Sequence, residues 1–236
     1  QVHSPRGSFN NHLGVPITIL EAPPGTEILI LELGTNTPGE IADLARIARA
    51  RHGVITSVAE THLQGLESLD GVQREKFSLF DHINGDGLWA PVECRGTLQQ
   101  IDGYRWTGPG GDLEIRRDES RGVVVLDRFR KREFFLPWSH PSDWVLRCLE
   151  SALAMALEIV DDPEQLIEGA TRIQLPRWRH EVRTVNGIEM VLDCYNSSPC
   201  ALAAAIDDLG RSKASRKLAV IGTMEELGED EQRFHV

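Results

Sequence analysis

The chain has 236 residues, 41% of them hydrophobic, enough to bury a sizeable core and to fill one domain plus part of another. Lys and Arg total 25 against 36 Asp and Glu, a formal net charge of −11, which opposes nonspecific binding to nucleic acid; an anionic ligand has to be held locally by Arg, Lys, a metal or a helix end. No apolar run reaches the length of about 18 residues needed for a membrane span, and QVHSPRGSFNNH at the N-terminus has neither the basic nor the apolar region of a signal peptide, so membrane insertion and secretion are not expected and a cytoplasmic location is.

The four cysteines, Cys94, Cys148, Cys194 and Cys200, form no CxxC pair and have no His at zinc-finger spacing, which favours reduced thiols over a disulfide framework or structural zinc. The chain opens on Gln1 rather than Met and closes in the charged GEDEQRFHV, which reads as the opening of a helix. The expectation is an excised piece or an incomplete reading frame.

In chain order, an aliphatic strand from Glu27 to Glu32 leads into TNTPGEIADLARIARARHG, where Thr37, Pro38 and Glu40 fit the cap, N1 and N3 positions of a capping box. Ile41, Leu44, Ala45 and Ala48 then recur at helical spacing, with His52 and Gly53 closing the helix. A strand from Val54 to Val58 completes a strand-helix-strand unit of a parallel sheet. Leu69, Val72, Lys76, Leu79, Phe80 and Ile83 fall on one face of a further helix. From Val92 to Leu136 short alternating segments between Gly-rich turns indicate an antiparallel patch beside the parallel sheet.

A helix capped by Ser142 or Asp143 follows, with Val145, Leu149, Ala152, Leu153, Ala156 and Ile159 as its buried stripe. A second has Asp162 as cap and Pro163 at N1. LPRWRHE reads as a linker, EVRTVNGIEMVLD as a hairpin turned at Asn186-Gly187, SSPCALAAAIDDLG as a helix with a Ser-Pro start, and KLAVIG as another strand. The expected organisation is therefore α/β, a mostly parallel sheet with flanking helices and a small antiparallel patch over 1–178, then a Rossmann-like βαβ unit opening over 179–236.

Glu32 and Asp193 are each the first carboxylate after an aliphatic strand, at the crevice along the carboxyl edge of an α/β sheet. Acids there hold metals or ribose hydroxyls, or simply cap the next loop. Lys76 lies in the apolar stripe of its helix, where an unpaired ammonium costs several kcal/mol to bury; either its stem snorkels to the surface or its head has a partner or a modification. His62 sits in the turn ETHL after a strand, a surface residue or a ligand. If Glu32, His62 and Lys76 converge at one sheet end, hard oxygens with one imidazole suit Mg²⁺ beside phosphate better than zinc.

The segments GSFNNHLGVPITIL, ILELGTNTPGEI, VITSVAETHLQGLESL, REK and DCYNSSP resemble, in that order and over nearly the whole chain, motifs of the Mur ligases, in the type that joins D-alanyl-D-alanine to UDP-N-acetylmuramoyl-tripeptide. The resemblance implies a central ATPase domain over 1–178 and the opening of a C-terminal domain over 179–236. It implies that Glu32 helps hold Mg²⁺ near the ATP phosphates, that His62 binds a second Mg²⁺, and that Lys76 is carbamylated into a metal-binding anion. Asp193 would bind the ATP ribose, with Tyr195 and Asn196 in the same loop near the nucleotide. Asn36 joins this nucleotide set, and Arg179, or Arg177 if the local alignment slips, would contact phosphate. Asn10 and Asn11 would face the UDP-sugar substrate. The implied chemistry is activation of a carboxylate by ATP to an acyl phosphate, attacked by the amine of the dipeptide, in a monomer with no nucleic-acid partner.

The sequence departs from the family at several points. The phosphate-cradling G-x-x-x-x-G-K-[ST] loop occurs nowhere in the 236 residues, and in the family it lies just upstream of GSFNNHLGVP, so the chain by itself is expected to show no turnover. Ser8 replaces an Asn, WSHPSDW replaces a histidine-asparagine motif at His140, Ser198 replaces an Asn and Thr223 an Asp, and the Asn-x-Asp-Asp segment expected near Ala90 is not recognisable. Two alternatives follow: another Mur-like ligase, of the tripeptide-forming, folylpolyglutamate or cyanophycin type, or a non-catalytic binding module that keeps the sheet.

Overall fold

A computed structural model of the chain describes residues 1–95, 103–119, 122–228 and 231–235. Its centre is a six-stranded sheet in the order β3 (His52–Val54), β4 (Gly87–Pro91), β5 (Tyr104–Thr107), β6 (Leu113–Arg117), β7 (Val123–Asp127) and β8 (Arg132–Leu136). The first three pairings are parallel and the last two antiparallel. The antiparallel patch expected beside the parallel strands continues the same sheet from Leu113 on, whereas Tyr104–Thr107, expected within the patch, pairs in parallel. The parallel-to-antiparallel change falls at β6, which pairs in parallel with β5 at the single position Thr107–Leu113 and antiparallel with β7.

β4 shows why the sheet is covered on both faces. Trp89 points to one side, into a core with Leu113, Val123, Val125 and Leu136 under helices α5 (Asp143–Leu157) and α6 (Pro163–Ala170). Its neighbour Ala90 points to the other, with Ile55, Phe77, Phe80 and Cys94 under helix α4 (Leu69–Phe77). Successive strand residues face opposite ways, so a strand buried on both faces reads as continuously apolar. The expected stripe of α5 holds at Val145, Leu149 and Leu153, but Ala152 and Ile159 are exposed and Leu146, Ala154 and Leu157 are buried instead. Val72 in α4 and Phe80 in the 3-10 turn after it (Phe80–His82) bury as expected, while Leu69 is exposed and the helix ends at Phe77 rather than running on to Ile83. Asp162 caps α6 through a 3.0 Å hydrogen bond from the Glu164 amide, with Pro163 at N1.

The N-terminal segment differs from expectation. The aliphatic strand is only β2 (Ile28–Leu29), paired in parallel with β1 (Val2–His3) outside the main sheet. Helix α2 (Glu40–Ala48) begins at Glu40 with Gly39, in the left-handed conformation at φ 94°, as its cap, not Thr37. Half of the capping box survives: the Glu40 carboxylate accepts the Thr37 amide at 2.9 Å and the Asn36 amide at 2.6 Å. The helix ends at Arg49 in the left-handed conformation, and His52 and Gly53 belong to β3, which stops at Val54 rather than running to Val58. A side chain at residue 53 would press on Leu79 and Ile83, so glycine serves strand packing there, not helix termination.

After LPRWRHE, whose last residue opens β9, β9 (Glu181–Val185) and β10 (Ile188–Leu192) form the expected hairpin, turned at Asn186 and Gly187 with φ 51° and 79°. Ser198 caps α7 (Pro199–Arg211). KLAVIG is not a strand: residues 217–222 are extended and unpaired among the described residues, with Leu218 and Val220 exposed. The hairpin is a sheet of two strands only, so no parallel βαβ pairing forms there and the apolar run has no edge to join. The C-terminal charged segment contributes the short helix α8 (Glu231–His235). No described helix is long and apolar enough to cross a membrane.

Candidate functional site

The residues expected at the site fall into separate local groups, around Lys76, His62 and Glu32. Lys76 projects from α4 and donates from Nζ to the Ser57 carbonyl, just past β3, at 2.8 Å. Burial lowers its pKa, with Cys94 beside it acting weakly in the opposite sense, while the same burial raises the Cys94 thiol to about 11. The head of Lys76 therefore has a partner and does not snorkel free, and its neutral amine form is more accessible than that of a surface lysine.

Glu75, the residue before Lys76, is buried and organises the adjoining loop. Its carboxylate accepts the Gly39 amide at 2.7 Å, the Ile41 amide at 2.8 Å and lies 3.2 Å from the Thr35 hydroxyl. A helix N-terminus offers unpaired N–H groups and a positive dipole end, and a carboxylate answers both. This fixes the loop 35–39, whose Asn36 and Thr37 line an open polar recess of about 330 Å³ with His62, Gln64, Gly65 and Glu226. Gly65 is required there, since a Cβ would lie 1.9 Å from the Asn36 carbonyl oxygen.

His62 sits in the left-handed conformation at φ 56°, heading the short helix α3 (Leu63–Leu66). Its Nδ1 is 2.5 Å from Oε2 of Glu226. That atom is nevertheless inaccessible to solvent and makes no aligned hydrogen bond.

A second group surrounds the loop before α1 (Gly14–Leu20). The Asn10 side chain donates to Glu32 at 2.8 Å and its carbonyl accepts the Gly34 amide at 2.8 Å. Two residues earlier, the Ser8 hydroxyl is 2.8 Å from the Tyr195 hydroxyl. Arg179 stacks over the Tyr195 ring at 4.3 Å, the Tyr195 amide donates to the Trp178 carbonyl at 3.3 Å, and Asp193 accepts the His180 amide at 3.1 Å. One loop, 8–10, therefore brings Glu32 together with Tyr195, Arg179 and Asp193. Asn11 has a local duty, accepting the Leu13 and Gly14 amides at 3.1 and 2.9 Å at the start of α1, and Asn196 accepts its neighbour's amide at 2.8 Å.

Around His140, which the sequence marked only as a departure from the family motif, contacts join the start of α5 to the segment before β9 and to α7. The His140 ring meets the buried His180 edge-on at 4.8 Å, and Arg117 donates to the His140 and Pro141 carbonyls and to Asp143, the last at 2.6 Å. Arg211 of α7 reaches Asp143 at 3.2 Å. Burial first, then His180 and Arg117, lower the His140 pKa to about 4. Glu32, His62 and Lys76 each have their own partner, and no group of three or more His, Cys, Asp or Glu gathers among the described residues. Glu75 lies in REK but, unlike Lys76, carried no reading of its own there, and nothing in the sequence pointed to Glu226.

Residues 1–92 match the Mur ligase middle domain. The whole chain is 31% identical over 244 aligned positions to the UDP-N-acetylmuramoyl-tripeptide–D-alanyl-D-alanine ligase of Bacillus subtilis, covering 100% of this chain and 53% of that protein. It is 30% identical to the enzyme of the same name from Mycobacterium tuberculosis, covering 98% and 48%. The chain thus spans about half the length of the curated relatives it matches. Among solved structures, MurF from Acinetobacter baumannii superposes with a TM-score of 0.85 at 25% identity over 99% of this chain and 53% of that one. MurF from Thermotoga maritima in complex with ADP has the same fold, with a TM-score of 0.80 at 24% identity over 99% and 56%. Residues 1–92 are thus similar to the Mur ligase middle domain, and across its whole length the chain is similar, in sequence and in fold, to these ligases.

Proposed function

We propose that this chain serves in an ATP-dependent acid–amino-acid ligase of peptidoglycan synthesis, cytoplasmic and monomeric, joining D-alanyl-D-alanine to UDP-N-acetylmuramoyl-tripeptide. The observation that carries this reading is the loop 8–10: through Asn10–Glu32 and Ser8–Tyr195, both at 2.8 Å, it unites an acid just past β2 with Tyr195, Arg179 and Asp193. Arg179 supplies a cation for a phosphate, Tyr195 an aromatic face and Asp193 a carboxylate for ribose hydroxyls. In this reading Asn36 and Asn196 serve the nucleotide, and Asn10 and Asn11 the UDP-sugar.

Glu32 and His62 each fit a divalent cation of its own. Glu32 is an exposed carboxylate with one oxygen steadied by Asn10, and His62 has a buried ring nitrogen with no hydrogen bond. Lys76 fits only after its neutral amine attacks CO₂, forming a carbamate and releasing a proton; the lowered pKa favours that form. Mg²⁺ held there would neutralise phosphoryl oxygens. The chain's residues orient the nucleotide and the substrate carboxylate so that a carboxylate oxygen attacks the γ-phosphorus and ADP leaves. The dipeptide amine then attacks the carbonyl carbon, losing a proton as phosphate departs. Positioning and charge neutralisation carry such a reaction, so no nucleophilic side chain is needed.

Titration of the chain with ADP and Mg²⁺ tests the nucleotide locus. Binding that Tyr195→Ala or Asp193→Ala weakens at least tenfold supports the assignment, and binding indifferent to both removes it.

A further inference from the structure

We infer that Glu226 is a second protein ligand for the cation assigned to His62, so that the cation site is built from two distant parts of the chain. The inference rests on the Mg²⁺ reading of His62 above and adds to it a residue with no role there.

The contact is part of a packed surface. Met224 and Leu227, which flank the Glu226 position, are 1% and 2% exposed. The Gln64 amide lies 3.4 Å from the Glu226 carbonyl, and Arg233 of α8 lies 3.8 Å from Glu60. Glu226 itself adopts φ 62°, a left-handed backbone that costs a non-glycine residue about 1 kcal/mol or more and persists only where the surroundings impose it. The effect of that conformation is to aim a carboxylate at His62.

The geometry is that of adjacent ligands without their ion. Oε2 of Glu226 lies 2.5 Å from Nδ1 of His62, yet the two are not aligned as donor and acceptor. In an octahedral site with metal–ligand distances of about 2.1 Å, two neighbouring ligands stand about 3.0 Å apart and both aim off their connecting line, at the ion. Opening the pair by about half an ångström reaches that spacing. The recess is otherwise lined by Asn36, Thr37, Gln64 and Gly65, residues that offer only hard oxygen and nitrogen donors. Oxygens with one imidazole select Mg²⁺ or Mn²⁺ rather than a thiophilic ion. The recess is open enough for water or a phosphate to complete the coordination.

The probe is Mn²⁺, titrated into the full chain while the His62 imidazole is followed by NMR for paramagnetic broadening and binding is followed by calorimetry. Glu226→Gln is expected to weaken the Mn²⁺ that broadens His62 at least tenfold, and the neighbouring Glu225→Gln to leave it unchanged. Thermal melting of both variants at the wild-type temperature excludes a folding defect, Glu226 being a surface residue. Equal or tighter Mn²⁺ binding in Glu226→Gln overturns the inference, because the carboxylate would then be neutral or a competitor, and leaves the assignment of His62 standing. Wild-type protein in which Mn²⁺ never broadens His62 overturns both.

Discussion

The carboxylate of Glu75 accepts the backbone amide of Gly39 at 2.7 Å, so the residue before Lys76 holds the start of the helix that follows Asn36 and Thr37. A buried carboxylate with two amide partners is worth more than a surface cap, since its removal orphans donors as well as deleting bonds. Glu75→Ala is expected to lower stability by roughly 2–4 kcal/mol, and Glu75→Gln, which keeps one acceptor oxygen, by about half as much. Denaturant unfolding measures both. A loss under about 0.5 kcal/mol in the Ala variant would mean that the loop holds itself.

Glu150 gives a pH signature. Buried under β6, it accepts the Ile115 amide at 2.8 Å, and desolvation raises its pKa from 4.5 to about 7 despite that bond. The folded state therefore holds the proton more tightly than the unfolded one, so its favourable contribution is complete below pH 4.5 and lost as pH rises to 7. Glu150→Gln is expected to remove that slope and to gain up to about 3 kcal/mol at pH 8. Unfolding curves of variant and wild type that stay parallel between pH 5 and 8 would refute it.

His140 works in the opposite direction. Its pKa falls to about 4 from 6.5, so the folded state disfavours the proton, and stability present above pH 6.5 is lost as pH falls towards 4. A half-buried ring beside His180 and Arg117 is expected to loosen first on acidification. Replacing Arg117 with Met removes one of the repelling cations but also its bonds to 140, 141 and 143. The cleaner check is the NMR titration of His140 itself, with a midpoint near 4 expected and one at 6.5 or above excluding the packed His140–His180 contact.

Much of the frame was legible in the sequence. The hairpin at Asn186-Gly187, the Asp162-Pro163 helix start and the Ser198 cap appear where residue chemistry placed them, because turn and cap preferences are local. What failed depended on partners. KLAVIG has strand composition but no strand beside it. Gly53 looks like a helix terminator and instead lets Leu79 and Ile83 approach a strand. In the candidate site, Glu32 and Lys76 stood out because a carboxylate after a strand and an amine on an apolar face both need explaining. Glu226 did not, since its approach to His62 spans 164 positions and depends on tertiary packing alone.

Lys76 carries a distinct prediction. In a full-length protein containing these residues, Lys76→Ala is expected to abolish turnover, with partial rescue by a small carboxylate in solution. With ¹³C-labelled bicarbonate, a carbamate carbonyl resonance should appear in the wild type and be absent from the variant. Undiminished turnover in Lys76→Ala excludes the carbamate.

The central claim is the reaction. The most direct measurement is phosphate release by the full-length protein given ATP, Mg²⁺, UDP-N-acetylmuramoyl-tripeptide and D-alanyl-D-alanine, with each omitted in turn. Release that requires all of them, accompanied by the UDP-linked pentapeptide, is the result expected. Release that is indifferent to the dipeptide, or no release with every component present, would contradict the assignment.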